Sequence, residues 1–392
     1  MIAHFDADAF FASVEQAADA RLRRRPVAVG GSARGVVCSA SYEARAFGVH
    51  SAMPTRQALQ LCPGLVLVSG HFELYERFSE RIFGWCEELT PQVERSSIDE
   101  GYLDLAGRAG GLAGAIRALR GLDREICGEL KITVSSALAL RKGVARIASK
   151  AHKPHGFTVV PAGSEAAFLA PLPLPHLTGI GPVAAGRLAG IGLRTIADLV
   201  RAGPDRLYPL LGRRTAALLE LARGEGDEPV VTDAVAAQSF SGQETFALES
   251  GSEAAVERAL KALLAAQLRR LRATRQGART LAIGLRYSDR ETAQAAHSIA
   301  EPSSIDADFL PHIRPLLRRA WQRRVQVNQV RLELSRLYPD WIQGDLFAPA
   351  RPRQLALCRL GDELAGRFGP AALRPASQLT RPAGPRARST RG

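Results

Sequence analysis

Two acidic clusters constrain this chain more than any other feature. The first is Phe5-Asp6-Ala7-Asp8-Ala9-Phe10-Phe11, near the N-terminus. The second is Ser97-Ile98-Asp99-Glu100-Gly101-Tyr102-Leu103-Asp104. Each lies in a run that reads as a β-strand. Carboxylates at strand ends are costly to desolvate unless they hold a cation. Laid side by side, two such strands make an oxygen-donor site for two magnesium ions, the equipment of phosphoryl and nucleotidyl transfer. An ideal strand points Asp99 and Glu100 to opposite faces. Both can face one ion only where the strand bends, as at a hairpin tip. Either cluster alone reads as a solvated strand end; it is the combination that points to a site.

A chain of 392 residues exceeds one ordinary core and implies two to four domains. Its net charge of +13 suits a polyanionic partner, nucleic acid first. Most of the basic residues are arginines in an alanine-rich chain, a bias that base composition also produces, so charge alone does not decide the partner. The five cysteines, Cys38, Cys62, Cys86, Cys127 and Cys358, are scattered and lack any C-x-x-C pair. That spacing argues against a zinc site or a disulfide framework and fits a reducing cytoplasm. No apolar run reaches the roughly 18 residues of a membrane span, and the N-terminus lacks the basic region of an export signal.

Along the chain, short strands are expected at 2–5, 26–29, 36–38 and 131–135, with a hairpin over 93–105. Amphipathic helices are expected over 71–89 and 115–130. The prolines of 171–175 mark a boundary, and short helices separated by glycines follow over 176–225. Near 229–237 the pattern reads as a linker. Ser250 and Glu253 form an S-x-x-E capping box ahead of an apolar stripe from Val256 to Leu271. Leu281, Ile283, Leu285 and Tyr287 alternate as in a half-buried strand. A second helix at 306–321 and a strand through Val330, Leu332 and Leu334 complete a β-α-β-β-α-β order, that of a ferredoxin-like sandwich with one open sheet face. The tail carries a helical pattern of Leu357, Leu360, Leu364 and Phe368, then a Pro/Arg/Gly end read as disordered.

The flanks of the acidic clusters resemble the Y-family DNA polymerases. The motifs are Asp6-Ala7-Asp8-Ala9-Phe10-Phe11, Ser41-Tyr42-Glu43-Ala44-Arg45, Phe47-Gly48-Val49, Ser51-Ala52-Met53-Pro54 and Ser97-Ile98-Asp99-Glu100. Ile147-Ala148-Ser149, Lys153-Pro154-His155-Gly156 and Gly179-Ile180-Gly181-Pro182 continue the match, which covers roughly residues 1–340. The resemblance implies an α+β multidomain right-hand polymerase. Its palm would span 1–10 and 72–160, small fingers 11–71, a helical helix-hairpin-helix thumb 161–228, a linker 229–237, a ferredoxin-like little finger 238–339 and a tail 340–392. It implies template-directed addition of deoxynucleotides to a primer 3′ end, with low fidelity, low processivity and tolerance of damaged templates. Asp6, Asp99, Glu100 and the Ala7 carbonyl would hold two Mg²⁺ ions, and Asp8 would be structural. Ser39, Tyr42, Arg45, Lys153 and the backbone of Phe10 and Phe11 would bind the deoxynucleoside triphosphate. Phe11 would exclude the ribose 2′-hydroxyl. The chain departs from the family pattern at 135–142, and Gly101 stands where alanine is usual.

The remaining motifs concern DNA and partners. Leu177-Thr178-Gly179-Ile180-Gly181-Pro182 is a helix-hairpin-helix signature, whose glycines let backbone N–H groups reach a phosphate. Gly179, Ile180 and Gly181, with Arg279, Arg286 and Arg331 of the little finger, are the candidate contacts to primer-template DNA. Gln343-Gly344-Asp345-Leu346-Phe347 resembles a bacterial sliding-clamp-binding peptide, with Gln343, Leu346 and Phe347 as anchors. A monomer is expected. A non-catalytic scaffold of the same fold is the rival reading, but a scaffold has no need of Asp6, Asp99 and Glu100 together.

Overall fold

In a computed structural model, the residues described are 1–31, 35–107, 109–226, 228–232, 237–339 and 350–369. They fall into two compact units, Met1–Ala234 and Val235–Gly392, and their strands form three sheets.

The first unit holds β1 (Ile2–Ala7), β2 (Val27–Gly30), β3 (Val37–Ala40), β4 (Val66–Val68), β5 (Val93–Arg95), β6 (Glu100–Asp104), β7 (Val134–Ala139) and β8 (Phe157–Val159). The main sheet runs β5-β6-β1-β7-β8. Its central strand, β1, is antiparallel to both neighbours, with Asp6 opposite Glu100 on one side and Ser135 on the other. Phe5, Phe83, Leu103, Leu119 and Ile126 are fully buried against it. The Phe72–Leu89 helix forms as its apolar spacing requires, burying Tyr75, Ile82, Phe83 and Trp85. The Gly111–Glu125 helix runs on into a π-helical turn, Ile126–Leu130. The strand expected at 131–135 begins only at Val134, because Lys131 takes a left-handed φ of +58° as the chain leaves that turn. The altered 135–142 segment keeps its strand: β7 is buried throughout.

The β3-β2-β4 sheet has a small core of its own, including Ala28, Val37, Ala44, Met53 and Ala58. Its β4 pairs parallel to β2; the sequence over 42–70, broken by Gly48, Pro54 and Pro63, suggests short helices only. A third core, shared by the Lys142–Ala151 helix and the short helices beyond 165, includes Leu169, Leu188, Leu199 and Leu219. The Ile196–Leu211 helix is started by a capping box in which Thr195 and Asp198 satisfy each other's backbone.

The second unit follows the order β9 (Ser239–Ser250), the Glu253–Ala273 helix, β10 (Gln276–Tyr287), β11 (Thr292–Ser303), the Asp306–Ala320 helix and β12 (Val327–Pro339). This is the expected β-α-β-β-α-β order, with sheet order β11-β10-β12-β9. Leu281, Ile283, Leu285 and Tyr287 are buried together with Val256, Leu260, Phe309 and Leu332. The capping residue differs from expectation. Ser250 ends β9, and Ser252 accepts the N–H of Ala255 at the helix start. The tail forms the Ala350–Phe368 helix, which buries Leu355 and Ala365. The stripe read from the sequence faces the other way: Leu357, Leu360 and Phe368 are exposed. The buried side carries the ion pairs of the helix, Asp362 with Arg272 at 2.6 Å and Arg351 with Asp308 at 3.2 Å.

Gly101 has a packing cause. A Cβ there would stand 2.8 Å from the Glu94 carbonyl and 2.8 Å from the Phe83 ring. Backbone and a buried ring cannot both withdraw, so Gly101→Ala is expected to destabilise the first unit by about 1–3 kcal/mol. A lowered urea midpoint would register the loss; an unchanged midpoint would refute the packing account.

Candidate active site

The two acidic clusters meet. Register places Asp6 directly across from Glu100, and the Ala7 N–H donates to the Asp99 carbonyl at 2.9 Å. Asp99 sits at the bend where the hairpin enters β6. The Ser97 hydroxyl shapes that bend, accepting the N–H groups of Asp99 (3.2 Å) and Glu100 (3.1 Å) and donating to Asp99 Oδ1 at 2.5 Å. The hairpin-tip geometry expected for Asp99 and Glu100 is therefore present. Asp6 and Glu100 are each 8% exposed, and the Asp99 carboxylate lies at the more open edge on Ser97.

Three cations face these carboxylates. Lys150 Nζ lies 3.3 Å from Asp6 Oδ2 and 2.9 Å from Glu100 Oε2. Arg146 pairs with Glu100, and Lys153 with Asp6. Burial works against ionisation of Asp6, yet the Lys153 ammonium, aided by Lys150, holds its carboxyl below the usual carboxylate range. Arg146 and Lys150 escaped the sequence reading. Their signal was the four-residue step Lys142, Arg146, Lys150, which lines one face of a helix whose other face buries Val144, Ile147 and Ala148. His4 is fully buried, with Nδ1 2.8 Å from the Ser149 hydroxyl, and burial pushes its pKa down to about 3.

Asp8 is 1% exposed and lies 3.5 Å from the Lys153 ammonium, on the inner side of the cluster. It accepts from Thr133 Oγ1 (2.8 Å), Ser135 Oγ (2.9 Å) and the His155 N–H (2.8 Å). Such a carboxylate ties β1 to β7 and to the 152–156 turn, the structural placement expected for it.

Beside the carboxylates, the Phe10–Ala18 helix starts after Ala9 in a left-handed conformation, with no side-chain cap. The first N–H groups, those of Phe10 and Phe11, have no intrahelical acceptor. Ser39 is buried on β3. The Tyr42 hydroxyl is buried without a hydrogen-bond partner. Burial and the Asp8 charge push its phenol up to about 12, so it remains a donor at neutral pH. Arg45 lies over the Tyr42 ring at 4.6 Å, as their three-residue spacing allows. Lys153, expected beside the triphosphate, pairs with Asp6.

Phe10 is core, at 3% exposed, whereas Phe11 is half-buried. Phe11 stacks on Tyr75 (4.6 Å, 25°) and meets Phe72 edge-on at 5.8 Å. Tyr75 donates to Glu15 Oε1 at 2.5 Å, and His71 lies 2.9 Å from the same oxygen. Tyr75 and Glu15 were not singled out from the sequence, since their only signal was ordinary helical periodicity.

Gly179 has φ +98°, a conformation that suits glycine, and its carbonyl accepts from Arg214 at 3.2 Å. Ile180 is buried, and Gly181 precedes the Pro182–Gly190 helix, turning that N-terminus toward the loop. In the second unit, Arg286 and Arg331 stand on the helix-free sheet face, Arg331 bonded to Glu333 at 2.9 Å. Arg279 lies at a bulge in β10 and donates to the Ile299 carbonyl at 3.1 Å, so its guanidinium is engaged along the sheet. Gln343, Leu346 and Phe347 lie outside the described residues. Among those described, no helix is long and apolar enough to cross a membrane.

The comparisons agree with this geometry. Residues 5–150 match the impB/mucB/samB family and residues 237–357 its C-terminal domain. A protein named DNA polymerase IV from Opitutus terrae is 40% identical over 387 residues, covering 98% of this chain and 99% of the relative. Another, from Halorhodospira halophila, is 35% identical, covering 88% and 98%. Among solved structures, a Y-family DNA polymerase chimera of Dbh and Dpo4 superposes with a TM-score of 0.76 at 26% identity, covering 86% of this chain and 99% of that one. An insertion ternary complex of Dbh DNA polymerase gives 0.62, covering 86% and 98%. The chain belongs to the Y-family DNA polymerases, and within them to the DNA polymerase IV group. It is a DNA-directed DNA polymerase of the translesion type. The family is metal-dependent, and two-metal chemistry with low fidelity is typical of it.

Proposed function

We propose that Asp6, Asp99 and Glu100, with the Ala7 carbonyl, hold two Mg²⁺ ions for nucleotidyl transfer to a primer 3′ end. The observation carrying this is the facing of buried Asp6 and Glu100, two all-oxygen donors bridged by the Lys150 ammonium. The donor chemistry fits a hard divalent ion. When bound, the ions lower the pKa of the primer hydroxyl and balance the charge on the triphosphate. The chain's own residues orient the reactants. Ser39, the unpartnered Tyr42 hydroxyl, Arg45 and the free N–H groups of Phe10 and Phe11 bind the triphosphate oxygens. Lys153, whose charge now balances Asp6, would be free for the phosphates where a metal balances that carboxylate instead. Phe11 forms the wall beneath the deoxyribose.

The sheet containing β1 is the palm, within 1–10 and 72–160, and the β2–β4 sheet belongs to the fingers, within 11–71. Residues 161–228 are the thumb, with Gly179, Ile180 and Gly181 on the DNA backbone; residues 229–237 are the linker. Residues 238–339 are the little finger, whose open face carries Arg286 and Arg331 toward DNA; Arg279 supports that face from the bulge. Fingers of about sixty residues enclose the nascent pair loosely and select it weakly, so fidelity is low, and the small grip keeps processivity low as well. Gln343, Leu346 and Phe347 of the 340–392 tail anchor the enzyme to a bacterial sliding clamp, which raises its effective concentration at the primer end. The five free cysteines fit a reducing cytoplasm, and a monomer is the expected state.

Primer extension tests the metal site. The unmutated protein should extend in Mg²⁺, and Asp99→Ala should cut the rate by about 10²–10³-fold, the scale of losing one preorganised electrostatic group. No extension by the unmutated protein would favour the scaffold reading. In the same assay Phe11→Ala should lower discrimination against ribonucleotides at least about tenfold; unchanged discrimination would remove Phe11 as the sugar wall. On clamp-loaded templates, Leu346→Ala with Phe347→Ala should abolish clamp-stimulated extension, and full stimulation would exclude the peptide.

A further inference from the structure

The cysteine spacing argues against a zinc site, but the fold brings one cysteine to partners that no cysteine pattern reveals. Asp123 lies near the end of the Gly111–Glu125 helix, and Cys127 follows in the π-helical turn Ile126–Leu130. A step of four residues keeps both on one helix face. Local π-helical turns of this kind recur at functional sites. His155 arrives from the turn before β8. Its φ of +53° is held by its N–H bond to Asp8 at 2.8 Å. The ring then lies with Nε2 3.1 Å from both oxygens of Asp123. An Asp123 oxygen, the Cys127 sulfur and a His155 ring nitrogen all lie within 4.8 Å of one another.

Ligand atoms sit about 2.0–2.3 Å from a zinc-class ion. An ion placed among these three therefore needs only small side-chain adjustments to close the shell. The donors also discriminate. Thiolate and imidazole suit zinc, cobalt or nickel, whereas the all-oxygen set of Asp6, Asp99 and Glu100 suits magnesium. The two sites would thus sort their metals by ligand chemistry. His155 is exposed and Asp123 and Cys127 are each half-buried, which leaves the group open to an ion from solvent.

We propose that Asp123, Cys127 and His155 form a site for a zinc-class transition-metal ion, with three protein ligands and a fourth position open to solvent. On binding, Cys127 loses its thiol proton to solvent and its sulfur bonds the metal. The His155 ring gives up to solvent the Nε2 proton that it donates to Asp123, takes the neutral tautomer with its proton on Nδ1, and bonds the ion through Nε2. The ion clips the end of the 111–125 helix to the turn that carries Lys153, two residues before His155. The site is therefore a positioning element for the lysine that rests on Asp6.

Cobalt titration of the full chain in excess Mg²⁺, which occupies the oxygen-donor site, tests the assignment. About one equivalent of Co²⁺ should give a thiolate-to-cobalt charge-transfer band together with tetrahedral d–d bands. Zn²⁺ should displace both. Cys127→Ser should abolish the charge-transfer band, and His155→Asn should weaken binding at least about tenfold. Zn²⁺ should raise the melting temperature of the unmutated chain and leave that of Cys127→Ser unchanged, the two proteins melting alike without metal. Absence of the band overturns the proposal. So does a band that survives Cys127→Ser and vanishes with Cys38→Ser or Cys358→Ser, or an equal thermal shift in both proteins.

Discussion

Two carboxylates set opposite each other on neighbouring strands form the constraint on which the first unit depends. Asp6 and Glu100 face across β1 and β6, both nearly buried. Like charges in that position oppose strand pairing, and burial sharpens the repulsion because little water screens it. The register cannot escape it. A slip of one residue would turn Phe5 and Leu103 out of the core, and both are fully buried. The compensation comes from the Lys142–Ala151 helix and the turn after it, through Arg146, Lys150 and Lys153. The sheet, the helix behind it and the 152–156 turn are therefore one electrostatic assembly. Asp8, although it belongs to the same short motif as Asp6, joins that assembly from within as a cross-strand tie.

This balance reconciles two placements of Lys153. The family resemblance puts it beside the triphosphate, and the structure puts it on Asp6. On the proposed reading these are successive positions of one cation. With a divalent ion held at Asp6, the charge that Lys153 now supplies there would be replaced, and the ammonium would be free for the phosphates. A long, flexible side chain suits such an exchange better than a fixed guanidinium fork would. Arg146 pairs with Glu100 and not with Asp6, so it can remain in place while Lys153 moves.

Much of the architecture was legible because it rests on local periodicity. The alternation at Leu281, Ile283, Leu285 and Tyr287 maps directly onto buried positions, and the helical stripe at 72–89 onto the core. The errors fall where a long-range partner decides. Ser250 satisfies the capping pattern, but strand pairing with Val327 claims it and leaves the cap to Ser252. Leu357, Leu360 and Phe368 form a plausible apolar face, yet the opposite side, which carries the ion pairs of Asp362 and Arg351, is the buried one. The carboxylates and Phe11 were legible from short motifs. Arg146, Lys150, Tyr75 and Glu15 were not, since each acquires meaning only from a residue far away in sequence.

Tyr75 and Glu15 bear on how a polymerase of this kind tells one sugar from another. Recognition of a missing hydroxyl cannot come from a hydrogen bond; it needs a wall that does not yield. A half-buried phenylalanine alone is a poor wall, since exposed aromatic side chains change rotamer readily. Here Phe11 lies against Tyr75 over most of its face and against the edge of Phe72. Tyr75 is itself fixed, because its hydroxyl donates to a buried carboxylate that His71 also contacts. Burial, with that bond, pushes the Tyr75 phenol well above its ordinary range, so the proton that makes the tether stays in place at any physiological pH. On the proposed reading, the stiffness that excludes a 2′-hydroxyl comes from a tyrosine and a glutamate that touch no substrate. Size selection at Phe11 would then draw on the Glu15 carboxylate behind Tyr75 as well as on the ring itself.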